Sequence, residues 1–140
     1  MFQNEAFRAL DRQECLRLLV GVPVGRVVYT WQALPAVLPI NFSLGEDASV
    51  LLRTAPDSDL VRAIDGAVVA FEADEFDAAT RSGWSVVVTG RATVVTDATA
   101  HERLSRTGPP SWMPLPGTMF VRIEAEMVTG RELRGARAGL

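Results

Sequence analysis

The chain has 140 residues, of which 48% are apolar and 22% charged, and these proportions are typical of one globular domain spanning residues 1–140. All 14 cations are arginine, which excludes a Schiff-base lysine and a P-loop lysine. One histidine, His101, and one cysteine, Cys15, exclude an internal disulfide, a zinc cluster and a multi-histidine metal site. The net charge of −3 argues against a nucleic-acid partner. No segment approaches the roughly 18 apolar residues of a membrane span, so we expect a cytoplasmic protein that lies on no membrane.

The first predicted element is a helix from Asp11 to Leu19. Asp11 followed by Glu14 is a capping-box pattern, and the apolar residues after it recur at helical spacing. Cys15 falls on that apolar stripe. We therefore expect its thiol to be a small buried group and not a reactive one.

Three predicted strands follow, over Arg26–Trp31, Ala36–Leu44 and Ser49–Thr54. They are rich in β-branched and aromatic residues, and apolar side chains alternate along them. The turns between them are short. A parallel crossover needs about a dozen residues, so these strands must be antiparallel.

A short helix is predicted to open at Pro56–Ser58 and to stop at Gly66. The next strand pattern covers Ala67–Ala73, and the acidic segment Asp74–Asp77 after it is expected to be a loop. That acidic run is interpreted as a solvated turn, because it lacks the ligand spacing of a calcium loop.

The longest strand pattern covers Gly83–Thr96 and contains Gly90, which predicts a bend, a bulge or a close backbone approach. A weak helix over Ala98–Arg106, a proline-rich loop up to Gly117 and a last strand over Met119–Val128 complete the chain. The sequence therefore predicts a mainly β or α+β protein, in which six antiparallel strands close into a barrel with short peripheral helices.

Acyl-transfer chemistry is disfavoured, because no Gly-x-Ser-x-Gly elbow accompanies the single histidine. His101 lies on a weak polar helix next to Glu102, which is typical of a solvated histidine.

Arg53 and Thr54 end a strand, and Ser58 opens the helix that follows, which is a plausible cradle for a phosphate. A second interpretation is equally open at this point. In it, Ser58 only caps its helix and Arg53 pairs with a nearby acid.

Five motifs in a fixed order resemble the flavin-binding split-barrel superfamily, namely VGRVVY, VLPINF, LLRT with a serine four residues later, GWSVVVTGRA and FVRIEAEMVTGRE. Within it the chain is similar to the small pyridoxamine 5′-phosphate oxidase-like proteins, which include nitroimidazole-resistance-type reductases. The resemblance runs from Asp11 to Leu133. It implies a six-stranded split β-barrel, a homodimer with FMN at the subunit interface, and an oxidoreductase acting on a small molecule.

The resemblance also implies which residues contact the cofactor, although it assigns no catalytic side chain and no metal ligand. Expected contacts of the flavin ring and ribityl chain are Leu38, Pro39, Ile40 and Asn41. Expected contacts on the ribityl and phosphate side are Arg53, Thr54 and Ser58. Expected contacts from the long strand and the proline-rich loop are Trp84, Ser85 and Trp112.

Asp59 stands where many of these proteins have a phosphate-binding lysine, and no basic residue precedes the last strand at Gly117–Met119. A carboxylate repels a phosphate, although an aspartate at a helix start is also a favourable partner of the helix dipole. FMN is therefore the predicted cofactor, bound through Arg53 and the helix start. The alternatives are the deazaflavin F420 and a non-catalytic dimeric binding module that has lost FMN.

Overall fold

The computed structural model describes residues 7–112 and 117–135 of the chain. These residues form eight strands and three helices. In chain order they are β1 (Phe7–Leu10), α1 (Arg12–Val20), β2 (Val24–Trp31), β3 (Leu34–Leu44), β4 (Val50–Thr54), α2 (Asp59–Ile64), β5 (Val68–Asp77), β6 (Ser82–Val94), α3 (Ala98–Thr107), β7 (Met119–Ile123) and β8 (Met127–Leu133).

Six of the strands close into an antiparallel barrel. Its neighbours follow the order β6-β5-β2-β3-β4-β7, and β7 pairs back with β6. β8 and then β1 extend the sheet outward from β6. The predicted six-stranded antiparallel barrel with short peripheral helices is confirmed, with two further strands at its edge.

The closing strand β6 belongs to both halves of the barrel, and it changes partners at Gly90. Its first part pairs with β5 and β8, whereas Ala92–Val94 pairs with β7. A Cβ atom at Gly90 would collide with the carbonyl group of Glu124, whose N–H donates to the Arg91 carbonyl at 3.0 Å. The predicted close approach at Gly90 is therefore observed, at the point where β6 exchanges β8 for β7.

Helix α1 begins with the predicted capping box. Asp11 Oδ1 accepts from the Glu14 N–H at 2.8 Å, and Glu14 Oε2 accepts from the Asp11 N–H at 2.9 Å. The Asp11 N–H that donates to Glu14 lowers the pKa of the Glu14 carboxyl, and Arg8 lowers it further. Cys15 is fully buried against the sheet, which raises the pKa of its thiol and confirms its expected packing role.

None of the helices in residues 7–112 and 117–135 is long and apolar enough to cross a membrane.

Three parts of the sequence prediction differ from the structure. The acidic segment Asp74–Asp77 is the end of β5 and not a loop, because the turn begins only after Asp77, whose Oδ1 accepts from two backbone N–H groups of that turn. The single strand expected over Met119–Val128 is broken between β7 and β8, where the chain crosses β6 at Gly90. Strand β1, which the sequence analysis did not predict, has only four residues and gains its order by pairing with β8.

We expect Gly90→Ala to destabilise the fold by about 1–3 kcal/mol, because the new methyl group meets backbone atoms that cannot rotate away. The measurement is the free energy of unfolding from urea denaturation. Gly21→Ala is the matched control, since Gly21 has a helical φ of −83° and its added Cβ would lie 3.5 Å from the nearest atom. Equal unfolding free energies for the two variants would contradict this role of Gly90.

Candidate functional site

A cleft of about 530 Å³ lies where β3 and β4 separate on one side of the barrel. Its lining consists of Val24, Leu38, Pro39, Ile40, Asn41, Arg53, Thr54, Ala55, Ser111 and Trp112. Seven of the eleven site residues predicted from the sequence are in this lining. They are Leu38, Pro39, Ile40, Asn41, Arg53, Thr54 and Trp112.

The wall of the cleft formed by β3 has an open backbone edge. β3 pairs with β2 along residues 34–41, but it pairs with β4 only at Phe42–Leu44. The edge of Leu38–Asn41 that faces away from β2 therefore has no strand partner in the described part of the chain. An unpaired strand edge offers N–H donors and carbonyl acceptors to a ligand that carries both.

Arg53 supplies the positive charge of the cleft, and no carboxylate among residues 7–112 and 117–135 forms an ion pair with it. Its guanidinium lies 5.3 Å from the centre of the Phe120 ring, and Nη1 donates to the Pro109 carbonyl at 3.5 Å. Its Nε is buried and has no hydrogen-bond partner in the described part of the chain. A cation that is partly desolvated and not compensated is costly, and a bound anion would relieve that cost.

The hydroxyl groups near Arg53 are engaged within the protein. Thr54 Oγ1 donates to Ser58 Oγ at 3.3 Å, and Ser58 Oγ accepts from the Val61 N–H at 3.2 Å. Ser58 is therefore the N-cap of α2, as one of the two sequence interpretations held. The other half of that interpretation, a carboxylate partner for Arg53, is not observed among the residues that the structure describes. Ser58 adjoins the cleft through Thr54 without lining it.

Asp59 is the first residue of α2 and is exposed to solvent. Its carboxylate forms an ion pair with Arg62, one turn further along the helix. It is not part of the cleft lining. The negative charge at the position of the missing lysine is thus balanced locally, away from Arg53.

The segment before the gap in the described residues packs across the other side of the cleft. Asn41 Nδ2 donates to the Pro110 carbonyl at 2.7 Å, and Pro109 is fully buried. These contacts position Trp112, which is 60% exposed, at the cleft. A proline has no N–H, so this segment presents acceptors to the donors of Asn41 and Arg53.

Trp84 and Ser85 do not reach the cleft within one chain. Trp84 is buried in the core, and Ser85 lies on β6 opposite Asp74 of β5 and Arg131 of β8. Two strands, β5 and β2, separate Ser85 from β3.

A charged cluster that was not predicted from the sequence lies on the outer face of the sheet. Arg26 Nη1 lies 2.9 Å from Glu72 Oε1 and 3.3 Å from Asp74 Oδ2. Burial, and then the neighbouring Asp74 carboxyl, raise the pKa of Glu72 to about 7. The acidic residues at positions 72 and 74 could have predicted this cluster, because residues two apart in a strand lie on the same face of the sheet.

His101 lies apart from the cleft lining. His101 is half-buried and not fully solvated as expected, since its Nε2 lies 3.1 Å from the Thr118 carbonyl and its ring packs edge-on against Phe120. No three His, Cys, Asp or Glu side chains in the described ranges come together in a way that could hold a metal ion.

Comparison with known proteins points to one family. The sequence profile described as pyridoxamine 5′-phosphate oxidase matches residues 11–132. An uncharacterized protein of Mycobacterium tuberculosis, Rv0080, is 48% identical over 126 residues, which cover 86% of this chain and 82% of that protein.

Solved structures agree with this assignment. The FAD binding protein from Mycobacterium smegmatis superposes with a TM-score of 0.81 at 36% identity, covering 92% of this chain and 100% of that chain. A FAD-binding protein from Mesorhizobium loti superposes with a TM-score of 0.72 at 26% identity, covering 90% and 97% of the two chains. The chain therefore belongs to the pyridoxamine 5′-phosphate oxidase family of split-barrel proteins.

Proposed function

We propose that the protein is a homodimeric, flavin-dependent oxidoreductase that binds its cofactor in the cleft between β3, β4 and the segment that carries Trp112. The observation that carries this proposal is the uncompensated guanidinium of Arg53 at the end of an otherwise mostly apolar cleft. A flavin nucleotide has the complementary form, a flat apolar ring system joined to an anionic phosphate.

The described residues fit such a molecule in size and in chemistry. A cleft of about 530 Å³ lies within the range of about 300–1,000 Å³ that is common for small-molecule sites. Leu38, Pro39 and Ile40 provide apolar contact for a ring, and the open edge of β3 offers the backbone groups that a ring with donors and acceptors can use. When bound, the flavin supplies the redox chemistry by taking up and releasing electrons or hydride.

Each residue of the cleft has a role that this proposal defines. Arg53 balances the phosphate charge, and its planar fork suits a phosphate oxygen pair. Thr54 lies beside it, and its hydroxyl oxygen, which donates its proton to Ser58, can still accept a hydrogen bond. Asn41 holds the Pro110 carbonyl and so keeps Trp112 against the cleft, where the indole excludes water from a bound ring.

The homodimer is supported by an exposed apolar surface on the outer face of the barrel, which includes β3, the strand that also lines the cleft. Val37, Val68 and Phe76 are each more than half exposed on strands β3 and β5. Exposed apolar surface of this kind is typical of a protein interface. A second copy on this face would also bring Ser85, which lies on β6 opposite Asp74 and apart from the cleft of its own chain, toward a bound flavin. Trp84 stays in the core of its own chain.

FMN is the proposed cofactor, and FAD is the first alternative, since the similar structures from M. smegmatis and M. loti are described as FAD-binding. FMN and FAD share the ring, the ribityl chain and the first phosphate, so the same cleft residues serve either. F420 remains the second alternative.

The proposal is tested by the absorbance spectrum of the protein as purified and by thermal shift with added FMN, FAD and F420. We expect a flavin spectrum or a rise in melting temperature with FMN, and identification of the released chromophore assigns the cofactor. A colourless protein that none of the three stabilises would contradict the proposal.

Arg53→Gln is expected to weaken FMN binding by about 10- to 100-fold, because a hydrogen bond to a charged group contributes about 1.5–3 kcal/mol. Quenching of flavin fluorescence measures the affinity. Arg103→Gln is the matched control, since Arg103 is an exposed arginine of α3 outside this cleft. Both apo-variants are first checked for the wild-type melting temperature. An unchanged affinity in Arg53→Gln would remove Arg53 from the phosphate site.

Asp59→Lys distinguishes an active flavin site from a binding module that has lost its cofactor. Asp59 is exposed and already paired with Arg62, so we expect the FMN dissociation constant to change by less than about threefold. The same titration measures it. An affinity that appears only in the lysine variant would instead support the non-catalytic alternative.

A further inference from the structure

The Arg26–Glu72–Asp74 cluster, called here the acid cluster, has an unequal charge balance. Both carboxylates contact one nitrogen of one guanidinium, at 2.9 Å and 3.3 Å. With both acids ionised, one cation against two anions leaves each copy with an excess negative charge. The Asp74 carboxyl is also close enough to Glu72 to raise the pKa of Glu72, because a second negative charge nearby disfavours the ionised form.

The acid cluster lies on the outer face of the barrel and among apolar neighbours. β2 and β3 bring Pro39 of the cleft opposite Arg26, and β6 brings Val87 opposite Glu72. In the adjacent row of the sheet, Val28 lies opposite both Val37 and Ala70. The cluster is thus the charged part of the apolar face through which the proposed homodimer would form.

Among residues 7–112 and 117–135, few other charged groups face Glu72. Asp74 comes from its own strand and Arg26 from β2, whereas Ser85 and Val87 are its non-titratable neighbours on β6. Beyond β6, Arg131 of β8 lies opposite Ser85, and its guanidinium stacks 4.8 Å from the centre of the Phe7 ring. The balance of the cluster therefore depends on its own three side chains.

We propose that association of two copies through this face is coupled to the uptake of one proton by the acid cluster of each copy. This inference rests on the homodimer of the proposed function and adds a regulatory property to it. A two-fold interface buries the same patch on both copies, so two clusters of the same sign lose water together. A proton shared by Glu72 and Asp74 makes each cluster neutral and removes both the repulsion and the cost of burying an unpaired charge.

The direction of the pH effect follows from this linkage. In one copy the pKa of Glu72 is already raised to about 7, mainly by burial and then by Asp74, while Arg26 opposes the shift. Further burial in a dimer raises that pKa again. Below pH 7 a single copy already holds the proton, so association is nearly independent of pH. Above pH 7 the proton must be taken up on association, so the dimer weakens as pH rises.

The test is the dimer dissociation constant of the full chain, measured by sedimentation between pH 6 and pH 8.5. We expect it to rise by at least about tenfold over this range, with most of the rise above pH 7. A dimer whose dissociation constant does not change, or one that weakens toward pH 6, overturns the proton coupling and leaves the dimer standing. A monomer at every pH overturns the homodimer and the coupling with it.

Two variants assign the effect to the acid cluster. Glu72→Gln and Asp74→Asn each leave one carboxylate for one guanidinium, so we expect dimers at pH 8.5 that are as tight as the wild type at pH 6. Glu46→Gln removes the same charge from an exposed turn on another part of the barrel, and it is expected to keep the wild-type pH dependence. Circular dichroism checks that each variant is folded. A wild-type pH dependence in both cluster variants would contradict the assignment.

Discussion

Closure of the barrel through β6 is the constraint on which the rest of the structure depends. One strand of 13 residues pairs with β5 and β8 along its first part and with β7 at its end, and it changes partners at Gly90, where the Glu124 carbonyl packs against the backbone. The barrel closes there, and it opens on the side where β3 and β4 part. The opening between β3 and β4, called here the split, therefore follows from the way β6 pairs with strands of both halves of the barrel. The candidate site lies in this split.

The split forms the candidate site from a strand edge and an arginine side chain. It leaves the edge of β3 at residues 38–41 without a strand partner, and it places Arg53 at the end of β4 without a carboxylate partner in the described ranges. Asn41 and Arg53 then bind the carbonyls of the Pro109–Pro110 segment, which has no N–H groups to offer. In the proposed function these groups would bind the cofactor and balance its charge, and none of them has to act as a strong acid or base. The lack of a need for an acidic or basic side chain agrees with a reaction in which a bound cofactor carries out the redox chemistry.

Local signals in the sequence predicted the elements whose determinants are close in the chain. The capping box of Asp11 and Glu14, the Ser58 cap and the glycine in the longest strand all have the structural role that their residue types favour. The acidic end of β5 was predicted wrongly, because its strand is stabilised by pairing with β6 and by Arg26, 46 residues away from Glu72. Trp84 and Ser85 were grouped with the cleft by resemblance alone. Within one chain Trp84 lies in the core, and two strands separate Ser85 from β3.

Because the chain has no lysine, the positive charge of the cleft comes from arginine, and Arg53 is the arginine in its described lining. Since Asp59 is balanced by Arg62, the charge available to a phosphate in the described cleft is that of Arg53. Comparison of FMN with riboflavin, which has the same ring and ribityl chain but no phosphate, measures this directly. We expect the wild-type protein to bind FMN at least about tenfold more tightly than riboflavin, in accord with a charge-assisted hydrogen bond to the phosphate. Equal dissociation constants for the two molecules would contradict a flavin site organised by Arg53.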